Sequence, residues 1–285
     1  MFTTALAAGL PPSPARSGLR AALLVPVTAT WLRLAGPVKE QAVRAGAVTK
    51  RRRYGEPVLV LLDLDGTLTD PYVGICGSVA YAIAQLGKSP LTEQQLRSFI
   101  GPPLQDQFAT LGLDTREVER AVALYRERFT ERGLYENRVY AGVADALTAL
   151  TAASLRLAVA TSKPTVFAER IVRHLGLDEH LDLVAGATLD GTRRTKADVI
   201  AFALTALGAD ASRAVMVGDR AQDIIGAREH GMRSIGVGWG YAEPGELEAA
   251  EADVVVETPE ELVGALVPNS VDDPSGGGQE LGPQR

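Results

Sequence analysis

Cysteine is nearly absent from this chain of 285 residues, since Cys76 is the only one. A single cysteine excludes an intramolecular disulfide and any metal site built from several thiolates. Chains without disulfides are typical of reducing compartments, so we expect a cytoplasmic protein. The three histidines, His174, His180 and His230, lack the spacing of a metal site, and we interpret them as structural or surface residues.

Long apolar runs are also missing, and basic charge is scarce outside the N-terminal segment. No apolar run reaches the roughly 18 residues that would indicate a membrane-spanning helix, so we expect no membrane partner. Residues 1–55 hold nine of the 29 Lys and Arg and one of the 35 Asp and Glu. The later part of the chain therefore has 20 basic and 34 acidic residues, a net charge of −14. That balance disfavours nucleic acid as a partner and suits a protein that holds a divalent cation.

The two ends of the chain differ in composition from the rest. Residues 1–55 are rich in Ala, Arg, Pro and Gly, and we interpret them as a disordered extension or as sequence upstream of the true start. A secretory signal or an organelle transit peptide is the alternative for this segment. Residues 269–285, with their Pro-Ser-Gly-Gly-Gly run, are predicted to form a disordered tail.

The most informative stretch runs from Val58 to Asp70. It begins as a continuous apolar run, which is typical of a strand buried on both faces of a parallel sheet. It then reaches two carboxylates, Asp63 and Asp65. Burying a charge is unfavourable unless it is paired or bound to a metal, and ligands of open α/β sheets bind beyond the carboxyl ends of the strands. The pair predicts a cation site or a catalytic role, although two such residues can also simply cap a turn.

The order of predicted elements indicates an α/β fold with an insertion. Residues 71–141 have helical patterns only, whereas strands and helices alternate after residue 142, which is typical of a parallel sheet covered on both faces. We expect a Rossmann-like core of residues 56–70 and 142–268. An all-helical cap of residues 71–141 would then be inserted directly after the two aspartates, where it is placed to act as a lid.

Two further stretches suit a phosphoryl group. Thr161 and Ser162 follow the second predicted core strand, whose end is expected at Ala160. A hydroxyl and free N–H groups there suit phosphoryl oxygens, although Thr161 taken alone is better interpreted as a helix N-cap. Lys196 opens a helix, where a cation opposes the helix dipole, so we expect an anion nearby.

Two more carboxylates follow another buried strand. Asp219 lies at its tip, and Asp223 lies on the first turn of the next helix, where its charge is favoured. With Asp63 and Asp65, four carboxylates are then expected at adjacent strand ends, and their repulsion would need a cation. Oxygen ligands, few in number and with room for water and phosphate, predict a Mg²⁺ site.

These motifs, in this order, resemble the signatures of the haloacid dehalogenase superfamily. The resemblance begins with Asp-Leu-Asp-Gly-Thr-Leu-Thr at residues 63–69 and covers residues 58 to about 266. It implies a phosphatase in which Asp63 is the nucleophile that forms an aspartyl-phosphate and Asp65 is the general acid and base. Dehalogenation is disfavoured, because the dehalogenase branch lacks an acid at the position of Asp65.

The same resemblance implies the binding residues. The phosphoryl group would contact Gly66, Thr67, Thr161, Ser162 and Lys196. The metal ligands would be Asp63, Asp65 through its backbone oxygen, and Asp219, with Asp223 supporting them.

Within the superfamily, the chain is similar to the phosphoglycolate phosphatase-like group, with features of its bacterial 5'-nucleotidase-like members. One such feature is the loop Gly101-Pro102-Pro103, which we expect to face the leaving group. The resemblance implies a Mg²⁺-dependent phosphatase of a small phosphorylated metabolite, with a nucleoside 5'-monophosphate ahead of phosphoglycolate. A sugar-phosphate mutase and a catalytically silent binding protein remain alternatives, but the second would have been free to lose the acidic residues and Lys196.

Overall fold

The computed structural model describes residues 59–267 of the chain. The predictions of a disordered extension and a disordered tail therefore lie outside the described residues. The strands, in chain order, are β1 Leu59–Leu62, β2 Thr69–Asp70, β3 Arg138–Val139, β4 Arg156–Pro164, β5 Leu183–Ala187, β6 Ala214–Gly218, β7 Arg233–Val237 and β8 Val254–Val256. The α-helices are α1 Tyr72–Gln85, α2 Glu93–Arg97, α3 Leu104–Thr110, α4 Thr115–Arg128, α5 Val143–Ala152, α6 Thr165–His174, α7 Lys196–Leu207, α8 Ala221–Glu229, α9 Glu246–Ala249 and α10 Pro259–Leu266.

Six of these strands form one sheet in the order β5–β4–β1–β6–β7–β8. All five neighbouring pairs are parallel, which confirms the predicted fold class. The first strand of the chain lies in the middle, with β4 on one side and β6 on the other. The connections that follow β1 and β5 therefore lead to opposite halves of the sheet. Such a switch point opens a crevice at the carboxyl ends of the central strands.

Strand β1 is buried on both faces, as its apolar run predicts. Its four residues are at most 2% exposed. Because side chains alternate between the two faces of a strand, Leu59 and Leu61 pack in one apolar cluster with Val199 and Ile200 of α7. Val60 and Leu62 belong to the second cluster, which continues into the helices that follow β2.

Helices α1 to α4 lie between β2 and β3, and they are called here the helical insertion, residues 72–133. This segment ends in a π-helical turn, Phe129–Gly133. Two of its helices begin at capping boxes, in which Thr92 pairs with Gln95 and Asp114 pairs with Glu117. The segment is therefore helical, as its sequence pattern predicts. The domain boundaries at residues 71 and 141 stay predictions.

The structure differs from the sequence-based expectation at the end of β4. The strand continues through Thr161 to Pro164 instead of ending at Ala160, because its pairing with β5 continues past an irregularity. The N-cap position of α6 is Pro164, so the interpretation of Thr161 as a helix N-cap is wrong.

Three short elements are not predicted by the sequence pattern. Strands β2 and β3 pair as a two-residue antiparallel ribbon, and α9 is a single turn. These elements could not be predicted, because segments of two to four residues have no measurable periodicity. Helix α2 ends at Arg97. Among residues 59–267, the helices are too short or too polar to cross a membrane.

Candidate active site

Three aspartates meet at the carboxyl ends of β1 and β6. Asp63 follows β1, and its N–H donates to the carbonyl of Val217 in β6 at 2.9 Å. Asp219 follows β6, and Asp223 lies on the first turn of α8. One carboxylate oxygen from each of the three lies within 4.8 Å of the others, and all three residues are buried. The structure therefore brings together three of the four aspartates that the sequence singled out.

Lys196 is the cation of this site. Its Nζ lies 3.0 Å from Asp63 Oδ1 and 2.6 Å from Asp223 Oδ1, and it donates to the carbonyl of Ala160 at 2.9 Å. Burial alone would lower the pKa of Lys196, but Asp223 and Asp63 outweigh it and raise that pKa. The anion expected beside a lysine at a helix start is thus confirmed.

One lysine does not neutralise three buried carboxylates. Burial, reinforced by repulsion from Asp63 and Asp223, raises the pKa of Asp219 well above its usual range. Burial also raises the pKa of Asp223 to about 6, although Lys196 opposes the shift. Converging oxygens with an excess of negative charge fit a divalent cation such as Mg²⁺, which prefers a few carboxylate ligands.

The loops around Asp219 are packed against its side chain. Gly66 has φ +88°, and a Cβ at that position would lie 2.1 Å from Asp219 Oδ2. A Cβ on Gly240 would lie 2.3 Å from Asp219 Cβ. Thr67 Oγ1 donates to Asp219 Oδ1 at 3.2 Å, and the N–H of Tyr241 donates to Oδ2 at 2.8 Å. The hydroxyl of Thr67 is therefore engaged with Asp219, and the phosphate contact expected of Thr67 and Gly66 stays a prediction.

Asp65 does not belong to the cluster of the other three aspartates. Its Oδ2 lies 2.7 Å from Lys163 Nζ, and its Oδ1 is buried without a hydrogen-bond partner in the described part of the chain. Burial raises the pKa of Asp65, and Lys163 offsets part of that shift. A carboxyl group with a raised pKa and one free oxygen is suited to hold a proton for a leaving group.

Lys163 was not singled out from the sequence. It lies in the extension of β4 beyond Ala160, which the sequence pattern does not predict. Its ammonium lies 4.6 Å from the ring centroid of Phe129, at the end of the helical insertion. The same lysine therefore contacts both Asp65 and the insertion.

The other residues expected at a phosphoryl group lie at the end of β4. Thr161 is 2% exposed, and its Oγ1 accepts a hydrogen bond from the N–H of Lys163 at 3.3 Å. Ser162 is half-buried. Because β4 is the neighbour of β1, both residues lie on the strand adjacent to the one that leads to Asp63.

A cavity of about 350 Å³ lies between the end of β4 and the helical insertion. Asp65 and Ser162 line it on the side of the sheet, and Gly101, Pro102 and Pro103 line it on the side of the insertion. Aromatic side chains form much of the remaining wall, namely those of Phe99, Tyr125, Phe129 and Phe167. The loop expected to face a leaving group therefore does line a cavity that reaches Asp65.

Two arginines from segments that follow β5 and β6 contact the region of this loop. Arg220 donates through Nη1 to the carbonyl of Ile100 at 2.6 Å and through Nε to Glu246 at 2.9 Å. Arg194 forms an ion pair with Asp106, directly after the loop. These contacts could not be predicted from the sequence, because they join residues far apart in the chain.

Comparison with known proteins agrees with this arrangement. The model of the haloacid dehalogenase-like hydrolase family matches residues 60–237. The chain is 47% identical over 191 residues to a 5'-nucleotidase of Pseudomonas aeruginosa, and the aligned region covers 67% of this chain and 86% of that protein. It is 41% identical over 213 residues to the tyrosine-protein kinase PtkA of Mycobacterium tuberculosis, covering 74% and 72% of the two chains.

A more distant relative and a solved structure are also described as phosphatases. A phosphoglycolate phosphatase of Agrobacterium fabrum is 31% identical over 218 residues, covering 73% of this chain and 91% of that protein. The crystal structure of a predicted phosphatase from Clostridium acetobutylicum superposes with a TM-score of 0.71 at 38% identity, covering 74% of this chain and 99% of that one. The fold, the aspartates at its strand ends and these matches together show that the chain belongs to the haloacid dehalogenase-like hydrolase family.

Proposed function

We propose that this chain hydrolyses phosphomonoesters of small metabolites, with Asp63 as the nucleophile. One observation carries the proposal: the Asp63 carboxylate stands at the end of the central strand, 3.0 Å from the Lys196 ammonium and beside two further buried aspartates. A nucleophile and a permanent cation at a switch point are what phosphoryl transfer to a carboxylate requires.

The reaction proceeds in two displacements at phosphorus. An oxygen of Asp63 attacks the phosphorus atom, the bond to the leaving oxygen breaks, and Asp65 donates its proton to that oxygen. In the second step Asp65 takes a proton from a water molecule as the water attacks the phosphorus of the aspartyl-phosphate. Inorganic phosphate leaves, and Asp63 is again a carboxylate.

Positive charge makes this attack possible. The phosphoryl group of a monoester is an anion, so it repels Asp63 unless cations lie beside both groups. Lys196 supplies one such charge at a fixed position. Asp63, Asp219 and Asp223, with the backbone oxygen of Asp65, would hold Mg²⁺, which when bound supplies further positive charge opposite the phosphoryl oxygens.

The substrate we favour is a nucleoside 5'-monophosphate. The volume of about 350 Å³ lies within the roughly 300–1,000 Å³ typical of cavities for ligands of this size. The aromatic walls suit a planar base, whereas a two-carbon glycolate would leave most of the cavity unfilled. The likeness to a 5'-nucleotidase at 47% identity supports the same choice. Phosphoglycolate is the alternative.

A second candidate follows from the likeness to PtkA at 41% identity. In that case the phosphoryl group would pass to a tyrosine hydroxyl instead of water. The cavity of about 350 Å³ beside Asp65 has the size for a small molecule, so hydrolysis of a small metabolite ranks first.

The test is phosphate release by the purified protein with Mg²⁺ across nucleoside monophosphates, phosphoglycolate, sugar phosphates and pyridoxal phosphate, with Asp63→Asn as the blank. We expect release from nucleoside monophosphates at the highest kcat/KM, and none from the variant. A preference for phosphoglycolate would support the alternative. Transfer from ATP to a tyrosine peptide without phosphate release would overturn the proposal in favour of a kinase.

A further inference from the structure

Two side chains that line the cavity carry hydrogen-bond donors without an acceptor among residues 59–267. They belong to Tyr125 and Arg126, consecutive residues of α4 that both line the cavity. Tyr125 is only 4% exposed, and neither its hydroxyl nor the guanidinium of Arg126 has a hydrogen bond or ion pair to any of residues 59–267. Arg126 is itself half-buried.

This situation contrasts with the neighbouring arginines. Arg128, two positions further along α4, pairs with Glu136 at 2.9 Å. The other arginine of the cavity, Arg194, pairs with Asp106. A guanidinium offers only donors, and those of Arg126 are not buried from solvent, so they are available to an acceptor that enters the cavity. The missing acceptor at Arg126 therefore points to a ligand.

We propose that Tyr125 and Arg126 form a donor subsite that binds an oxygen acceptor of the leaving group. This inference rests on the proposed function, because the leaving group is defined by hydrolysis at Asp63 and Asp65. The subsite would select among phosphomonoesters, and it takes no part in the displacement at phosphorus.

Two kinds of leaving group carry such an oxygen: an oxo-base of a nucleotide and a carboxylate such as that of glycolate. The walls favour the base, since four aromatic residues, Phe99, Tyr125, Phe129 and Phe167, line the cavity. The base carbonyl of inosine 5'-monophosphate would accept from Arg126. The amino group of adenosine 5'-monophosphate at the same position would place a donor against a donor.

The experiment compares three substrates whose phosphoryl group is attached to the same oxygen, that of the 5-hydroxyl of ribose. They are inosine 5'-monophosphate, adenosine 5'-monophosphate and ribose 5-phosphate. The wild-type protein should show its highest kcat/KM with inosine 5'-monophosphate. In Arg126→Met, the ratio of kcat/KM for inosine 5'-monophosphate over ribose 5-phosphate should fall about 10- to 100-fold, the range for a hydrogen bond to a charged group. Tyr125→Phe should lower it about three- to tenfold, the range for a neutral one.

The matched control is Arg120→Met, since Arg120 is an exposed arginine of the same helix that does not line the cavity. It should leave the ratio unchanged. A second arm compares phosphoglycolate with ethyl phosphate. If Arg126→Met lowers only the ratio of kcat/KM for phosphoglycolate over ethyl phosphate, the subsite binds a carboxylate. That result also supports the proposed subsite. If neither ratio changes, or the control changes them equally, the subsite is wrong.

A further readout separates this inference from the proposed function. Should the wild-type protein release no phosphate from any substrate, the proposed function fails. The subsite is then decided by the Kd of inosine 5'-monophosphate for Asp63→Asn, with and without Arg126→Met. A Kd at least tenfold weaker in the double variant supports the subsite, and an unchanged Kd overturns it.

Discussion

At the scale of single residues, the site separates two kinds of carboxylate by their partners. Asp63 and Asp223 share the ammonium of Lys196, while Asp65 pairs with Lys163 and keeps one oxygen free. The first arrangement places a cation beside the nucleophile. The second holds an acid at the wall of the cavity. The two roles of a nucleophile and a proton donor are therefore supported by two different lysines.

Replacing Lys163 with methionine tests the second pairing. We expect kcat/KM for an alkyl phosphate to fall at least tenfold, because Asp65 loses the contact that orients it as an acid. Hydrolysis of p-nitrophenyl phosphate should fall less than about threefold, because its leaving group needs no proton. Lys88→Met, at an exposed lysine paired with Glu117, is the control. An equal loss with both substrates would mean that Lys163 is only structural.

Replacing Gly66 with alanine tests the packing around Asp219. A Cβ placed 2.1 Å from Asp219 Oδ2 forces that side chain to move, so we expect Mg²⁺ binding measured by calorimetry to weaken at least tenfold. Gly87→Ala is matched to it, since Gly87 also has positive φ but its Cβ would meet nothing within 4 Å. The control should show only the backbone strain of about 1 kcal/mol. Equal Mg²⁺ affinity in both variants would contradict the assignment of Asp219.

The residue scale is also where the sequence was most informative. Charges at the end of an apolar run are visible without a structure, so Asp63, Asp65 and Asp219 could be singled out. Lys163 could not, because β4 extends past the point where its apolar pattern stops. Tyr125 and Arg126 were hidden in an ordinary helical pattern, since periodicity gives a face of a helix but not the cavity that the face lines.

At the scale of elements, the β2–β3 ribbon connects the sheet with the helical insertion. Asp70 in β2 accepts hydrogen bonds from Tyr241 at 2.5 Å, the N–H of Tyr72 at 3.0 Å and Arg138 in β3 at 2.9 Å. Tyr241 lies in the loop after β7, so these contacts join both strands of the ribbon to that loop. The sequence could not predict the ribbon, because its strands have two residues each and its contacts are not local.

The charge of Asp70 gives the ribbon a pH dependence. Burial acts to raise the pKa of Asp70, but the hydrogen bonds from Tyr241, Tyr72 and Arg138 outweigh it and lower that pKa. A lowered pKa in the folded state stabilises the protein above the ordinary value of 3.8, and the contribution is lost as the pH falls through the lowered pKa.

Asp70→Asn should therefore lower the free energy of unfolding in urea by about 1 kcal/mol at pH 7, a value that allows for screening by solvent. The difference from the wild-type protein should hold at pH 5 and shrink as the pH falls below about 4. A difference that stays constant over this range would show that the charge of Asp70 contributes nothing to the ribbon.

At the scale of the whole molecule, one apolar cluster runs from the sheet into the helical insertion. The order of helices and strands predicted an insertion after β1, and the six-stranded parallel sheet follows from the alternation after residue 142. What the sequence could not give is how the insertion meets the sheet. That depends on long-range contacts such as the hydrogen bond from Arg220 to the carbonyl of Ile100.

The cluster of buried aspartates predicts that the stability of the whole fold depends on a cation. Mg²⁺ at about 100 times its Kd should raise the free energy of unfolding by about 2.7 kcal/mol, and a chelator should reverse the gain. Thermal unfolding with MgCl₂, compared with KCl at the same ionic strength, measures this effect. An unchanged Tm in MgCl₂ would be inconsistent with a metal site at Asp63, Asp219 and Asp223.

In the proposed mechanism, the phosphoryl group is transferred to Asp63 before it reaches water. The most direct test of this transfer is a rapid acid quench of the enzyme during turnover of a ³²P-labelled monophosphate. We predict label on the denatured protein that alkaline hydroxylamine removes, as expected for an acyl phosphate, and that peptide mapping places on Asp63. Turnover of the labelled substrate without any labelled protein, or with label that persists in Asp63→Asn, would contradict the claim.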